Sequence, residues 1–161
     1  MNNDIGFFKK NGYLILENFF DKEEVETVLR DAKTVFLRQF IEKGYVASCI
    51  LDDINEEQFN VCLYRLFEED IECLSNCGKQ AQHLISLHRL SLSAKIIELL
   101  IQMGLKAPVV STRPVLYFNH SKLAKQKIFY KVDAHQDWRI IQGSINSVVI
   151  WIPLIDINKE L

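Results

Sequence analysis

His135 and Asp137 stand two residues apart in "VDAHQDWRII", residues 132–141, inside a run of apolar and strand-forming residues. On an extended chain alternate side chains share a face, so the imidazole and the carboxylate project together while Gln136 and Trp138 point the other way. A neutral imidazole and a carboxylate are two of the three ligands in the 2-His-1-carboxylate arrangement that holds non-haem Fe(II). That arrangement leaves three metal positions open, enough for a bidentate oxo-acid and O₂. The spacing alone has a plain alternative, a strand histidine held by a neighbouring acid.

The elements that must position this pair divide the chain in two. In "GFFKKNGYLILENFF" a short amphipathic turn is broken by Gly12, and Tyr13 to Phe19 alternates as a short strand. Asp21 then caps a helix, with Glu24 at the capping-box spacing. That helix is expected to run to Glu42 and to bury Val25, Val28, Leu29, Ala32, Val35 and Phe36. Asn55 or Asp53 caps a second helix through "EEQFNVCLYRLFEEDIECLSNC", ending near Gly78. A third covers "QAQHLISLHRL", and a fourth runs through "SAKIIELLIQMG" to a stop at Gly104.

Beyond Pro108 the texture changes. "VVSTRPVLYFN", "KIFYKVDAHQDW" and "INSVVIWIPLI" are β-branched and aromatic runs parted by polar turns. Helices first and strands afterwards predict an α+β class. A single domain over residues 1–161 is expected, its helical part (1–107) packed on the outer face of a sheet drawn from 108–161. No repeat or Pro/Gly-rich linker divides it.

Composition narrows the function classes. The 161 residues are 48% hydrophobic, with ten Phe, five Tyr and two Trp, enough for a sizeable core. A net charge of −2 supplies no basic field for nucleic acid and no polybasic surface for a membrane. No run reaches the roughly 20 apolar residues of a membrane span, and "MNNDIGFFKK" lacks the apolar segment of a secretory signal. Cys49, Cys62, Cys73 and Cys77 are too sparse for a disulfide scaffold and read as reduced thiols of a cytoplasmic protein.

Three segments make the pattern specific. "FFKKNGYLILENFFDKEEVETV", "AHQDW" and "GSINSVVIWIPLIDINKEL" resemble, in order and spacing, the N-terminal part of the phytanoyl-CoA dioxygenase family of Fe(II)/2-oxoglutarate oxygenases. They are similar to the family's opening up to its acid-capped helix, its proximal metal motif, and the strand and acidic turn that follow the motif. The resemblance implies a double-stranded β-helix, a jelly-roll relative, with iron at the mouth between its sheets. It also implies hydroxylation of a small organic molecule with Fe(II), 2-oxoglutarate as co-substrate and O₂.

Carried over by position, His135 and Asp137 are the first two metal ligands. Related halogenases lack this carboxylate and bind chloride in its place, so Asp137 favours hydroxylation. Trp151 falls where the family sets an aromatic side chain against the co-substrate. Tyr117 and Asn119 fall on the strand that contributes polar 2-oxoglutarate contacts. Trp138 and Arg139 are candidates for the substrate mouth. The plain alternatives are a core tryptophan at 151, a cross-strand pair or turn at 117 and 119, and surface positions at 138 and 139. Asn146 reads as a turn residue, and Arg113, before Pro114, as an extended position with a solvated guanidinium.

The family's second histidine and its 2-oxoglutarate-anchoring arginine lie further along, and no histidine follows Asp137 here. The chain is therefore expected to be the N-terminal portion of an oxygenase, ending before the fold is complete, with exposed sheet edges that favour self-association. His120, fifteen residues before His135, reads as a loop histidine rather than a replacement ligand.

Two rivals remain. Cys73 and Cys77 share a helix face, with His83 and His88 nearby, as in a zinc site, yet with Cys62 and Leu66 they also form an ordinary buried stripe. The other rival is a non-catalytic remnant, a ligand- or partner-binding module of the same fold. Nucleophilic catalysis has no serine or cysteine with a local base, and no Gly-rich loop follows a strand to cradle phosphate.

Overall fold

A computed structural model describes residues 2–47, 50–117 and 146–157. Among these residues are six α-helices: α1 (Asn2–Asn11), α2 (Lys22–Glu42), α3 (Glu56–Glu69), α4 (Ile71–Ala81), α5 (Ile85–Ser91) and α6 (Ala94–Gln102). A 3₁₀ turn at Leu51–Asp53 leads into α3.

The longest helix, α2, organises the rest. Asp21 stands at its N-cap in extended conformation and donates its N–H to Glu24 Oε2 at 3.0 Å, the reach-back bond of a capping box. Val28, Ala32, Val35, Phe36, Leu37 and Phe40 are buried along it. The 28–32–35–36 spacing is one helical stripe. Leu37 lies off that stripe, so α2 is covered on more than one side, and it packs against α3, α4 and α5. Val25 and Leu29, at the rim, are half-buried.

Phe36, Phe40 and Leu66 are fully buried and centre a cluster completed by Phe59, Cys62, Leu63, Phe67, Leu74 and Cys77. Phe40 and Phe59 meet edge to face at 5.2 Å, the geometry aromatic quadrupoles prefer. A second cluster forms where Val28 of α2 meets Leu87 and Leu90 of α5. Lys95 of α6 closes this end of the molecule, its ammonium 3.0 Å from Asp21 Oδ2 and 3.1 Å from Glu24 Oε2.

The second predicted helix is two helices, broken at Asp70. With φ −154° and ψ 76°, Asp70 leaves helical geometry after its N–H has bonded Leu66 O at 2.8 Å. Its Oδ1 accepts the Cys73 N–H at 2.9 Å and so caps α4, while Oδ2 takes the Lys43 ammonium at 2.6 Å. An aspartate competes with the helix for backbone donors, which suits it to a cap better than to a helix interior. The predicted N-terminal turn is a full helix, α1. It stops at Gly12, whose φ of +80° is readily open only to glycine and whose N–H reaches Phe8 O at 2.7 Å.

The α+β class, and with it the expected sheet and double-stranded β-helix, is overturned. Among the described residues there is no strand and no sheet, only helices and irregular chain. Tyr13 to Phe19 runs as coil and bends at Asn18, which has φ +53°. Residues 108–117 and 146–157 are likewise unladdered. Period-two patterning decides which face of a segment packs, whereas a strand also needs a neighbour to pair its N–H and C=O groups. "KIFYKVDAHQDW" lies outside the described residues. The sheet edges expected to self-associate have no counterpart among those described. No helix among them is long and apolar enough to cross a membrane.

Side-chain burial sets the first expectation for stability. Replacing Phe36 by Ala should cost about 3–5 kcal/mol in urea unfolding, since the ring is fully buried. Val61→Ala, on the exposed side of α3, should change stability by less than about 0.5 kcal/mol.

The second outcome concerns acid. Arg65 Nε bonds Glu69 Oε1 at 2.7 Å and Tyr45 Oη donates to Oε2 at 2.6 Å, holding Glu69 below its ordinary 4.5. The Lys43 contact and the Cys73 N–H hold Asp70 below 3.8. Carboxylates depressed by folding stabilise above their unfolded values, and the contribution is lost as pH falls through the lower folded ones. Asp70→Asn keeps the cap oxygen but loses the ion pair. Its melting temperature should fall below wild type at pH 7, and the gap should begin to narrow near pH 3.8 and close as pH falls through the lower value of folded Asp70.

Candidate functional site

The segments on either side of the His-x-Asp motif, 108–117 and 146–157, are both tied to the α4–α5 corner. In the first, Arg113 Nε donates to Gln82 Oε1 at 2.8 Å, just past the end of α4. The side chain is exposed, as expected, and the guanidinium is held through its Nε. Pro114 and Leu116 are half-buried, and Val115 and Tyr117 face outward. In the second segment, Ile152 and Leu154 pack on Val28, Leu87 and Leu90, beside Phe20 and Leu84.

Burial along 148–155 alternates. Val148, Ile152 and Leu154 are half-buried, while Val149, Trp151, Pro153 and Ile155 are exposed; Ile150, in phase with the inner set, is itself exposed. Alternation of this kind belongs to an extended chain lying on a surface by one face. Trp151 is carried on the other face, 68% exposed. It is therefore no core tryptophan, and Tyr117 at 71% is as open. Both present a large aromatic side chain outward, able to stack on or hydrogen-bond to a ligand. Asn146 is exposed.

His135 and Asp137, with Trp138, Arg139, Asn119 and His120, lie outside the described residues. Among those described, no group of three or more His, Cys, Asp or Glu is arranged to hold a metal ion. The cysteine stripe behaves as core. Cys73 is half-buried and donates its Sγ–H to Gln39 Oε1 at 3.2 Å, and Cys77 is 3% exposed. Burial, reinforced by the neighbouring Cys73, pushes the Cys77 thiol up to about 12. Burial raises Cys62 as well. Metal ligation and nucleophilic attack need the thiolate, and these environments oppose it.

An open cleft of about 520 Å³ lies between the chain after α2 and the start of α3, lined by Tyr45, Val46, Asp53, Ile54, Glu57 and Val61 among others. The Tyr45 ring lies over the Arg65 guanidinium at 4.1 Å, and burial together with the Glu69 bond raises its pKa, keeping the phenol neutral. The lining holds two carboxylates and no basic side chain. That lining itself offers no counter-charge for an anionic oxo-acid.

Ile152, Leu154 and Gln82 are the positioning residues that sequence reasoning missed. The signal for the first two was present as the alternation within "INSVVIWIPLI". The Arg113–Gln82 bond spans 31 residues of sequence and carries no local signature.

The thiol environments lead to a chemical outcome. Brief treatment of the native protein with iodoacetamide at pH 7.5 should spare Cys62 and Cys77, read by peptide mass mapping, and unfolding in urea should expose both. Rapid alkylation of Cys77 in the folded protein would contradict its burial.

Comparison with curated proteins and with solved structures returns no match. A family model described as phytanoyl-CoA dioxygenase (PhyH) matches residues 8–160. The match runs from within α1 through the helices, across the His-x-Asp motif and along the segment bearing Trp151. With nearly its whole length accounted for in this way, the chain belongs to the phytanoyl-CoA dioxygenase (PhyH) family.

Proposed function

We propose that the chain serves an Fe(II)/2-oxoglutarate-dependent oxygenase that hydroxylates a small organic molecule. The observation that carries this reading is the family match over residues 8–160, which takes in the His135-x-Asp137 pair. An imidazole nitrogen and a carboxylate oxygen are donors suited to Fe(II), so the donor set fits the metal. Fe(II) held there would, with 2-oxoglutarate and O₂, supply the oxidising chemistry.

The chain's own residues bind and orient. His135 and Asp137 would hold the metal, and the presence of the Asp137 carboxylate, which related halogenases lack, favours hydroxylation. Trp151, turned outward from the helices, offers an indole face beside 2-oxoglutarate. The Tyr117 hydroxyl and the Asn119 amide offer donors to its carboxylates, and Trp138 and Arg139 border the substrate. No acyl-CoA substrate is assigned, because a net charge of −2 does not support a patch for the CoA phosphates. Cys62, Cys73 and Cys77 are free thiols, which supports a reducing compartment such as the cytoplasm.

The second reading is a non-catalytic module of the same family that binds a ligand or partner and holds no metal through His135 and Asp137.

Manganese(II), an O₂-stable probe of the same site, separates the two. Titrated by electron paramagnetic resonance, the 161-residue chain should bind Mn(II), more tightly with 2-oxoglutarate present. His135→Ala and Asp137→Ala should each weaken binding about tenfold or more. Equal Mn(II) affinity in wild type and His135→Ala would sink the oxygenase reading and leave the binding module.

A further inference from the structure

We propose that the corner formed by Val28, Leu87 and Leu90 is a positioning platform: by gripping Ile152 and Leu154 it sets the direction in which Trp151 faces. The role of Trp151 toward 2-oxoglutarate rests on the function proposed above. The platform itself rests on packing alone.

The grip is built from rigid parts. Val28, Leu87 and Leu90 are buried on two helices that pack against each other, and Phe20 and Leu84 flank the contact. The apolar contact of Ile152 and Leu154 with Val28, Leu87 and Leu90 fixes the register of this segment on the helices. Register has a two-valued consequence on an extended chain. A slip of one residue would turn Trp151 onto the helices and Ile152 out into solvent.

Pro153 sharpens the arrangement. It lies between the two anchors and is itself exposed. Its ring disfavours helical geometry at Ile152 and favours an extended backbone there. Trp151 and Ile152 therefore project to opposite sides, and anchoring Ile152 inward sends Trp151 outward. The "WIPL" run thus combines a presented indole, an anchor, a backbone stiffener and a second anchor. Ile152 and Leu154 are positioning residues, since they act through Trp151.

The test uses Trp151 as its own reporter. The chain has two tryptophans, so Trp138→Phe leaves Trp151 as the sole emitter. In that background Leu154→Ala should lower the steady-state anisotropy of Trp151 and raise its quenching by acrylamide, with helical ellipticity retained. Leu154→Met should restore both signals, and Val149→Ala, on the open face, should leave them at the parent level. Unchanged anisotropy in Leu154→Ala, or an equal change in Val149→Ala, would overturn the platform. Should Leu154→Ala lose helical ellipticity, Pro153→Gly decides by the same readout, since it leaves both anchors in place and frees the backbone between them. Adding Mn(II) and 2-oxoglutarate to the Trp138→Phe parent tests the other reading separately. Emission that ignores them, with the Leu154→Ala effect present, would remove the co-substrate role of Trp151 and leave the platform standing.

Discussion

Burial of the apolar face of α2 is the constraint on which the rest of the described structure depends. Its C-terminal half, through Val35, Phe36 and Phe40, centres the larger cluster with α3 and α4. Its N-terminal half, through Val28, builds the smaller cluster with α5 and receives the segment bearing Trp151. One helix therefore links the main core to the surface where the candidate site is presented. A helix of twenty-one residues is stiff enough to hold both ends in fixed relation.

Polar contacts refine this arrangement at its joints. Asp70 ends one helix, caps the next and pairs with Lys43, so a single carboxylate sets the bend between α3 and α4. Lys95 ties α6 to the N-terminus of α2 through Asp21 and Glu24. These pairs are substantially exposed, and exposed ion pairs each contribute little beside the burial of a phenylalanine. They specify where helices begin and end more than how firmly the molecule holds together.

The chemistry of the candidate site was legible as residue types. The His135-x-Asp137 spacing, the capped opening helix and the segment through Trp151 sufficed to suggest the family that the match over residues 8–160 establishes. The direction of the site residues was less legible. A core position was a fair alternative for Trp151, because a large apolar side chain in an apolar run is more often buried than open. Its exposure follows from what Ile152 and Leu154 contact, on helices more than sixty residues earlier in the sequence.

Local signals were sufficient for the helices. Asp21 and Glu24, Asn55 and Gln58, and the glycines at 12 and 104 mark ends through contacts spanning three or four residues, so their outcome is written in adjacent letters. The break at Asp70 was harder to see, since the apolar stripe continues across it and only the pairing with Lys43, twenty-seven residues away, makes the cap doubly favourable. The sheet expectation failed for a related reason. Alternation in 13–19, 108–117 and 146–157 determined which face of each run could pack, while the presence of a ladder depends on a partner strand. The amino-acid sequence thus determined the helices and the thiol stripe. Tertiary packing decided that α2 and α5 take the inner face of 146–157, and therefore that Trp151 points outward, because an extended chain has two equivalent faces until something buries one of them.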